Sequence, residues 1–183
     1  MADDIKILEL MVGKWEGDKG MDVAPLKDGK EQNPYFETIT IEPIGAITNA
    51  KEQEIVAVFY TQIVTRKSNN EVFHHEVGYY VYDEKANTIM QSFSIPRAVS
   101  IVAGGILNKV SNNEISFDLK AKEGDIECGI SQAPFMAKKA KTIEFIHNVK
   151  VNGDELIYKE TSVLEIYGKT FDHTDENTLR KIR

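Results

Sequence analysis

The 183-residue chain is poor in the residue types that most often announce a function. It has one cysteine, Cys128, and four histidines. A single thiol excludes an intramolecular disulfide and any multi-cysteine metal or iron–sulfur site. Cys128, in "IECGISQ", reads as a small buried hydrophobe rather than a nucleophile. Nowhere do 18 apolar residues run together, so no segment reads as a membrane-spanning helix. Positive charge is in deficit, with 22 Lys and Arg against 29 Asp and Glu for a net charge of -7. No basic stripe interleaved with aromatics offsets it, and nucleic acid is not an expected partner.

Signatures of catalysis and targeting are missing as well. There is no Gly-x-Ser-x-Gly elbow, no HExxH pair, no Walker loop and no dinucleotide fingerprint. No residue is therefore assigned a catalytic role. The start, "MADDIKILELMVGKW", lacks the basic n-region of a signal peptide, and Lys6 and Glu9 interrupt its apolar stretch. It reads as an amphipathic helix over Asp3–Met11, and a cytoplasmic location without membrane attachment is the simplest expectation.

What the chain does have is period-2 alternation. After the opening helix a strand is predicted through "GKWEGDKG". A Gly/Pro/Lys-rich segment, Met21–Pro34, reads as a long loop. Further strands are predicted at Tyr35–Ile44, Glu52–Lys67, Glu71–Asp83, Asn87–Pro96, Ala98–Leu107, Asn113–Lys122, Asp125–Gln132, Lys141–Val151 and Glu155–Gly168. The turns between them, "SNN", "DEKAN", "SNN" and "NGD", carry the Asn/Asp/Gly clusters that close hairpins. Ten such strands with so little helix imply one all-β domain over residues 1–183, an antiparallel meander closed as a sandwich or a barrel. A ten-stranded barrel is wide enough to enclose a ligand.

Alternation also sorts side chains by face. In Lys141–Val151, Ile143, Phe145, His147, Val149 and Val151 fall together. In Glu71–Asp83, Phe73, His75, Val77, Tyr79 and Val81 form the more apolar set, opposite His74, Glu76, Gly78 and Tyr80. His147, Phe145, His75 and Tyr79 are therefore candidates for a ligand cavity. Adjacent strand residues point to opposite faces, so His74 and His75 do not chelate one ion together. Arg97, at the "SIPR" corner, reads either as a solvent or structural residue or as a bidentate partner for a carboxylate. In "GKWEGDKG" the glycines mark close backbone approach, with Trp15 plugging one end.

The C-terminal stretch "GKTFDHTDENTLRKIR" places His173 before a short tail. Asp172 or Thr174 can N-cap a terminal helical turn there, with Leu179 and Ile182 packing back on the body. On spacing alone His173 reads as a loop residue. An imidazole from a loop at a barrel mouth is also a sufficient haem ligand.

Several stretches together resemble the nitrobindin-like family of haem-binding β-barrels, which are similar in shape to fatty-acid-binding proteins. They are "LELMVGKWEGDKG", "NPYFETITIEPIG", "VFHHEVGYY" and the tail ending in "NTLRKI", in the same order across nearly the whole chain. The resemblance is closest to a bacterial branch with "GDKGMDVAP" and "FDHTDENTL"-like stretches. It implies a ten-stranded antiparallel up-and-down barrel with a short N-terminal helix. It further implies haem b held by His173 as axial ligand, with ferric iron handling nitric oxide or peroxynitrite. Two departures stand beside it. The family's Gly-x-Trp-x-Gly-x-Gly is here one residue longer, Gly13 to Gly20. His173 also falls about one residue from the family histidine when the tail is anchored on Leu179. The expected partner is a small apolar or haem ligand, with an iron-free carrier of a fatty acid as the alternative; a homodimer stays open.

Overall fold

A computed structural model describes residues 4–182. The helix α1 spans Asp4–Glu9, and the expected start at Asp3 lies outside the described residues. Eleven strands follow: β1 Gly13–Leu26, β2 Gly29–Asn49, β3 Gln53–Arg66, β4 Val72–Asp83, β5 Thr88–Ile95, β6 Val99–Val110, β7 Glu114–Lys122, β8 Ile130–Gln132, β9 Ala140–Asn152, β10 Glu155–Ile166 and β11 Lys169–Ile182. A second short helix, α2, covers Pro134–Lys139. Among the described residues no helix is long and apolar enough to cross a membrane.

The sheet order is β5-β4-β3-β2-β1-β11-β10-β9-β7-β6, and β5 pairs with β6 to close the ring. All pairings are antiparallel, giving a closed ten-stranded barrel to which the three-residue β8 adds along β6. Closure leaves the barrel strands no free edge and forces alternate side chains inward.

Three elements differ from the sequence reading. The expected loop over Met21–Pro34 is a hairpin, with Met21 opposite Pro34 and Leu26 opposite Gly29. Its Gly, Pro and Lys content imitates a loop, but long pairing with β2 and β11 overrides local preference. The expected terminal helical turn is instead the end of β11, which pairs on both sides and buries Asn177 and Leu179. The strand expected over Asp125–Gln132 is reduced to β8.

The interior has three tiers. At the end covered by α1, Leu8, Met11, Trp15, Phe117 and Leu179 are all but inaccessible to solvent. Trp15 donates its indole N–H to the Met11 carbonyl at 2.8 Å, and the Lys181 ammonium lies 4.9 Å from the centre of its rings. Above this lies a layer of hydrogen-bonded polar side chains. Above that, at the end carrying the β1–β2 hairpin and α2, the barrel encloses a cavity.

Candidate functional site

The cavity measures about 300 Å³, at the small end for pockets that hold organic ligands. One wall is apolar and comes from the late part of β5 and the early part of β6, with Phe93, Ile95, Val99 and Ile101. Met136 of α2, Phe145 of β9 and Leu164 of β10 extend it. The facing wall is ionisable. Asp22 comes from β1, His74 and Glu76 from β4, Glu160 from β10, and His173 and Asp175 from β11. Arg66 and Arg97 also line the cavity; Arg97 is exposed, and the Arg66 guanidinium stacks on Phe73 at 4.5 Å.

His173 reaches the cavity because Lys169–Ile182 is a strand, in which residues two apart share a face. His173 and Asp175 therefore point inward together. Nε2 of His173 lies 2.6 Å from Asp22 Oδ1 and 3.6 Å from Asp175 Oδ2. The other Asp22 oxygen accepts from Asn33 Nδ2 at 2.7 Å. Burial opposes a charge on His173, but the Asp22 hydrogen bond and the two carboxylates outweigh it, and its pKa lies above the ordinary value. His74 behaves alike: burial opposes its charge, and Glu76, 3.5 Å away, outweighs burial. Burial pushes Asp175 up to about 6, with His173 pulling the other way. Glu160 is driven well above the carboxylate range by burial, and then by the charges of Glu76, Asp175 and Glu37.

Beneath the cavity the polar layer is two hydrogen-bonded chains. Tyr60 donates to Glu76 Oε1 at 2.5 Å and accepts from Gln91 Nε2 at 2.7 Å. Gln91 Oε1 therefore faces Nδ1 of His147, 2.8 Å away, as an acceptor. This assigns the proton to Nδ1 and leaves Nε2 an unprotonated acceptor without a partner among the described residues. Burial lowers the His147 pKa to about 3, so the ring is neutral. In the second chain Glu37 accepts from Tyr158 at 3.0 Å, Asn177 at 2.7 Å and Gln62 at 2.6 Å. Tyr35 donates to Tyr158 at 2.8 Å.

Of the sequence candidates, Phe145, Arg97 and His173 line the cavity. His147 is interior but lies one tier deeper, beside a void of about 20 Å³. His75 and Tyr79 require correction, since both are exposed on the outer face of β4. The less apolar set, His74, Glu76, Gly78 and Tyr80, is the interior one. Tyr60 satisfies Glu76 inside, and Gly78 is needed because a Cβ there would stand 2.4 Å from the Ser92 carbonyl oxygen. A bulge opposite Val64 and Thr65 then brings Phe73 to the cavity beside His74.

Asp22, Glu76, Glu160 and Asp175 are not found as site residues by sequence reasoning. Asp22 sits in the expected loop. Glu76 and Asp175 share one signal, an acid two residues after a histidine on the same strand face, whereas Glu160 has only Tyr158 and Ser162 two residues away.

The donor set can be tested against an iron porphyrin. The apolar wall and the two arginines suit a flat group with anionic substituents. Ligation, however, needs a neutral imidazole with a free lone pair. Nε2 of His173 is engaged by Asp22, its protonated form is favoured, and a second carboxylate stands beside it. His74 is carboxylate-paired too. As built, the donor set does not fit haem iron.

The solved crystal structure of Rv2717c from M. tuberculosis shares the fold, with a TM-score of 0.72 over 100% of this chain and 99% of that one, at 17% identity. No curated protein matches the sequence. The model of the THAP4-like, heme-binding beta-barrel domain matches residues 4–181. The chain belongs to that family of heme-binding β-barrel domains.

Proposed function

We propose that this protein is a small-molecule-binding barrel whose ligand lies in the cavity, its apolar body on the β5–β6 wall and its polar end at His173. The carrying observation is the division of one enclosed space into an apolar wall and an ionisable one. Haem, with His173 as axial ligand and nitric oxide or peroxynitrite handled at ferric iron, is the occupant that the family suggests. When bound, haem would supply a Lewis-acidic, redox-active iron. That reading requires His173 to be neutral, with Nε2 released by Asp22 or with Nδ1 as the ligating atom. A fatty acid is less suited, because its carboxylate would meet Asp22, Glu76, Glu160 and Asp175.

Native mass spectrometry of freshly purified protein, together with hemin titration, tests the proposal. We expect an organic mass other than haem that is lost in Ile95→Arg, and a Soret band like that of free hemin, unchanged in His173→Ala. A displaced Soret band that reverts in His173→Ala would overturn our reading and establish haem.

A further inference from the structure

We propose that Asp22, His173 and Asp175 form a binding site for a divalent first-row metal ion, Zn²⁺ or Mn²⁺, on the ionisable wall of the cavity. This rests on the reading that the cavity is the working part of the barrel, and it names what anchors the polar end of the ligand there.

The first argument is register. Asp22 on β1 is directly opposite Asp175 on β11, and Asp175 is directly opposite Glu160 on β10. Three carboxyl groups thus stand in one row across three adjacent strands, all lining the cavity. Ionised carboxylates directly opposite in a ladder destabilise it, and against these three carboxyl groups a protonated His173 sets a single positive charge. A divalent ion would bring more positive charge to the row than the single proton it displaces.

The second argument is the donor geometry. One ligand atom from each of Asp22, His173 and Asp175 lies within 4.8 Å of the others. Asn33 fixes the Asp22 carboxylate from outside the cluster, as supporting residues orient ligating carboxylates in metal sites. One imidazole nitrogen with two carboxylate oxygens suits Zn²⁺ or Mn²⁺, and Zn²⁺ ranks above Mn²⁺ in affinity at such a site. The ion takes the place of the proton that Asp22 and Asp175 favour on His173, because the same two carboxylates bind it, whereas haem iron would leave both carboxylates without a cation. The remaining coordination positions face the cavity, where an oxygen of an organic ligand can fill them.

A third observation concerns the partners of Glu160. Its side chain lies within the barrel and opens onto the cavity, yet among the described residues no hydrogen-bond donor or cation reaches its carboxyl group. Every other cavity carboxyl on β1, β4 and β11 has a partner: Asp22 has His173 and Asn33, Glu76 has Tyr60 and His74, and Asp175 has His173. An unpaired acid beside a row of acids is what a site for positive charge looks like when only the protein's own groups are counted.

Metal-stripped protein titrated with Zn²⁺ by calorimetry, and with Co²⁺ as a visible-absorption probe, tests the site. We expect one equivalent of Zn²⁺ and a Co²⁺ spectrum that changes in His173→Gln. Asp175→Asn and Asp22→Asn each weaken binding at least tenfold, and His75→Gln binds like the parent. Circular dichroism melts identify variants that fold; two carboxylate variants are made so that one misfolded protein does not remove the test. Absence of stoichiometric Zn²⁺ binding, or unchanged binding in the folded Asp175 or Asp22 variant, overturns the site. If Zn²⁺ binds through these residues while no organic mass co-purifies, the ligand reading fails and the metal site stands. A His173-dependent hemin spectrum without Zn²⁺ binding overturns the metal site and establishes haem in its place.

Discussion

The two ends of the barrel interior handle polarity in opposite ways. At the α1 end almost every inward side chain is apolar, and the one polar atom of Trp15 is spent on the Met11 carbonyl. The layer above it is polar and matched but for Nε2 of His147, each linked tyrosine and amide donating in sequence toward Glu76 or Glu37. At the hairpin end acids outnumber their partners, and Glu160 has none among the described residues. Burying a polar group costs stability unless it is paired. The matched layer therefore specifies the fold, whereas the unmatched wall is tolerated for binding.

The largest effect should come from the apolar end. Trp15→Ala removes a fully buried ring system and its hydrogen bond. We expect a loss of about 3–5 kcal/mol in denaturant unfolding, with ligand or metal affinity of the surviving folded fraction little changed. A cost below about 1 kcal/mol would mean that the α1 end is not the stability core.

The matched layer should answer to pH. Glu37 is 2% exposed, and burial raises its pKa from the ordinary 4.5 to about 7 despite the hydrogen bonds of Asn177, Tyr158 and Gln62. A carboxyl whose folded pKa is raised favours the folded state fully below its unfolded pKa. That contribution is lost as pH rises through the folded value. The share of stability owed to Glu37 should therefore fall between about pH 4.5 and 7, by on the order of 3 kcal/mol at roughly 1.4 kcal/mol per pH unit. Urea midpoints across that window check it. The Glu37→Gln profile should be flatter than the parent's by that amount; Asp175, raised to about 6, and Glu160, raised further, add falls of the same sign to both proteins, and His147, lowered to about 3, adds a rise to both. An equally steep profile in Glu37→Gln would exclude Glu37 as its source.

Much of the barrel is legible in the sequence because alternation is a local property. The face of β9 with Phe145, His147, Val149 and Val151 is buried as expected, and it departs only at Ile143, where a bulge hands the inward position to Thr142. The site is harder to read because its residues break the rule that inside means apolar. In β4 the polar set lies inside, since Tyr60, on the neighbouring strand, supplies a partner for Glu76. The row Asp22, Asp175, Glu160 exists only through two ladder registers joining residues far apart in sequence. His173 stands out in the sequence, but as a loop histidine. The strand that turns it inward depends on pairing with β1 and β10, which no capping pattern reveals.

The smallest effect tests that reversal on β4 directly. His74 and His75 are neighbours with opposite surroundings: His74 lines the cavity beside Glu76, and His75 is exposed. His75→Ala should change stability by no more than about 0.5 kcal/mol, as exposed substitutions do. It should also leave the occupancy of the cavity untouched. His74→Ala strips Glu76 of its only cationic neighbour within 4.0 Å among the described residues. We expect it to lower stability further than His75→Ala and to alter ligand or Zn²⁺ affinity. Paired melts and titrations of the two variants decide the matter. Equal effects at both positions would mean that neither face of β4 is committed to the interior, and the ionisable wall would lose both His74 and Glu76.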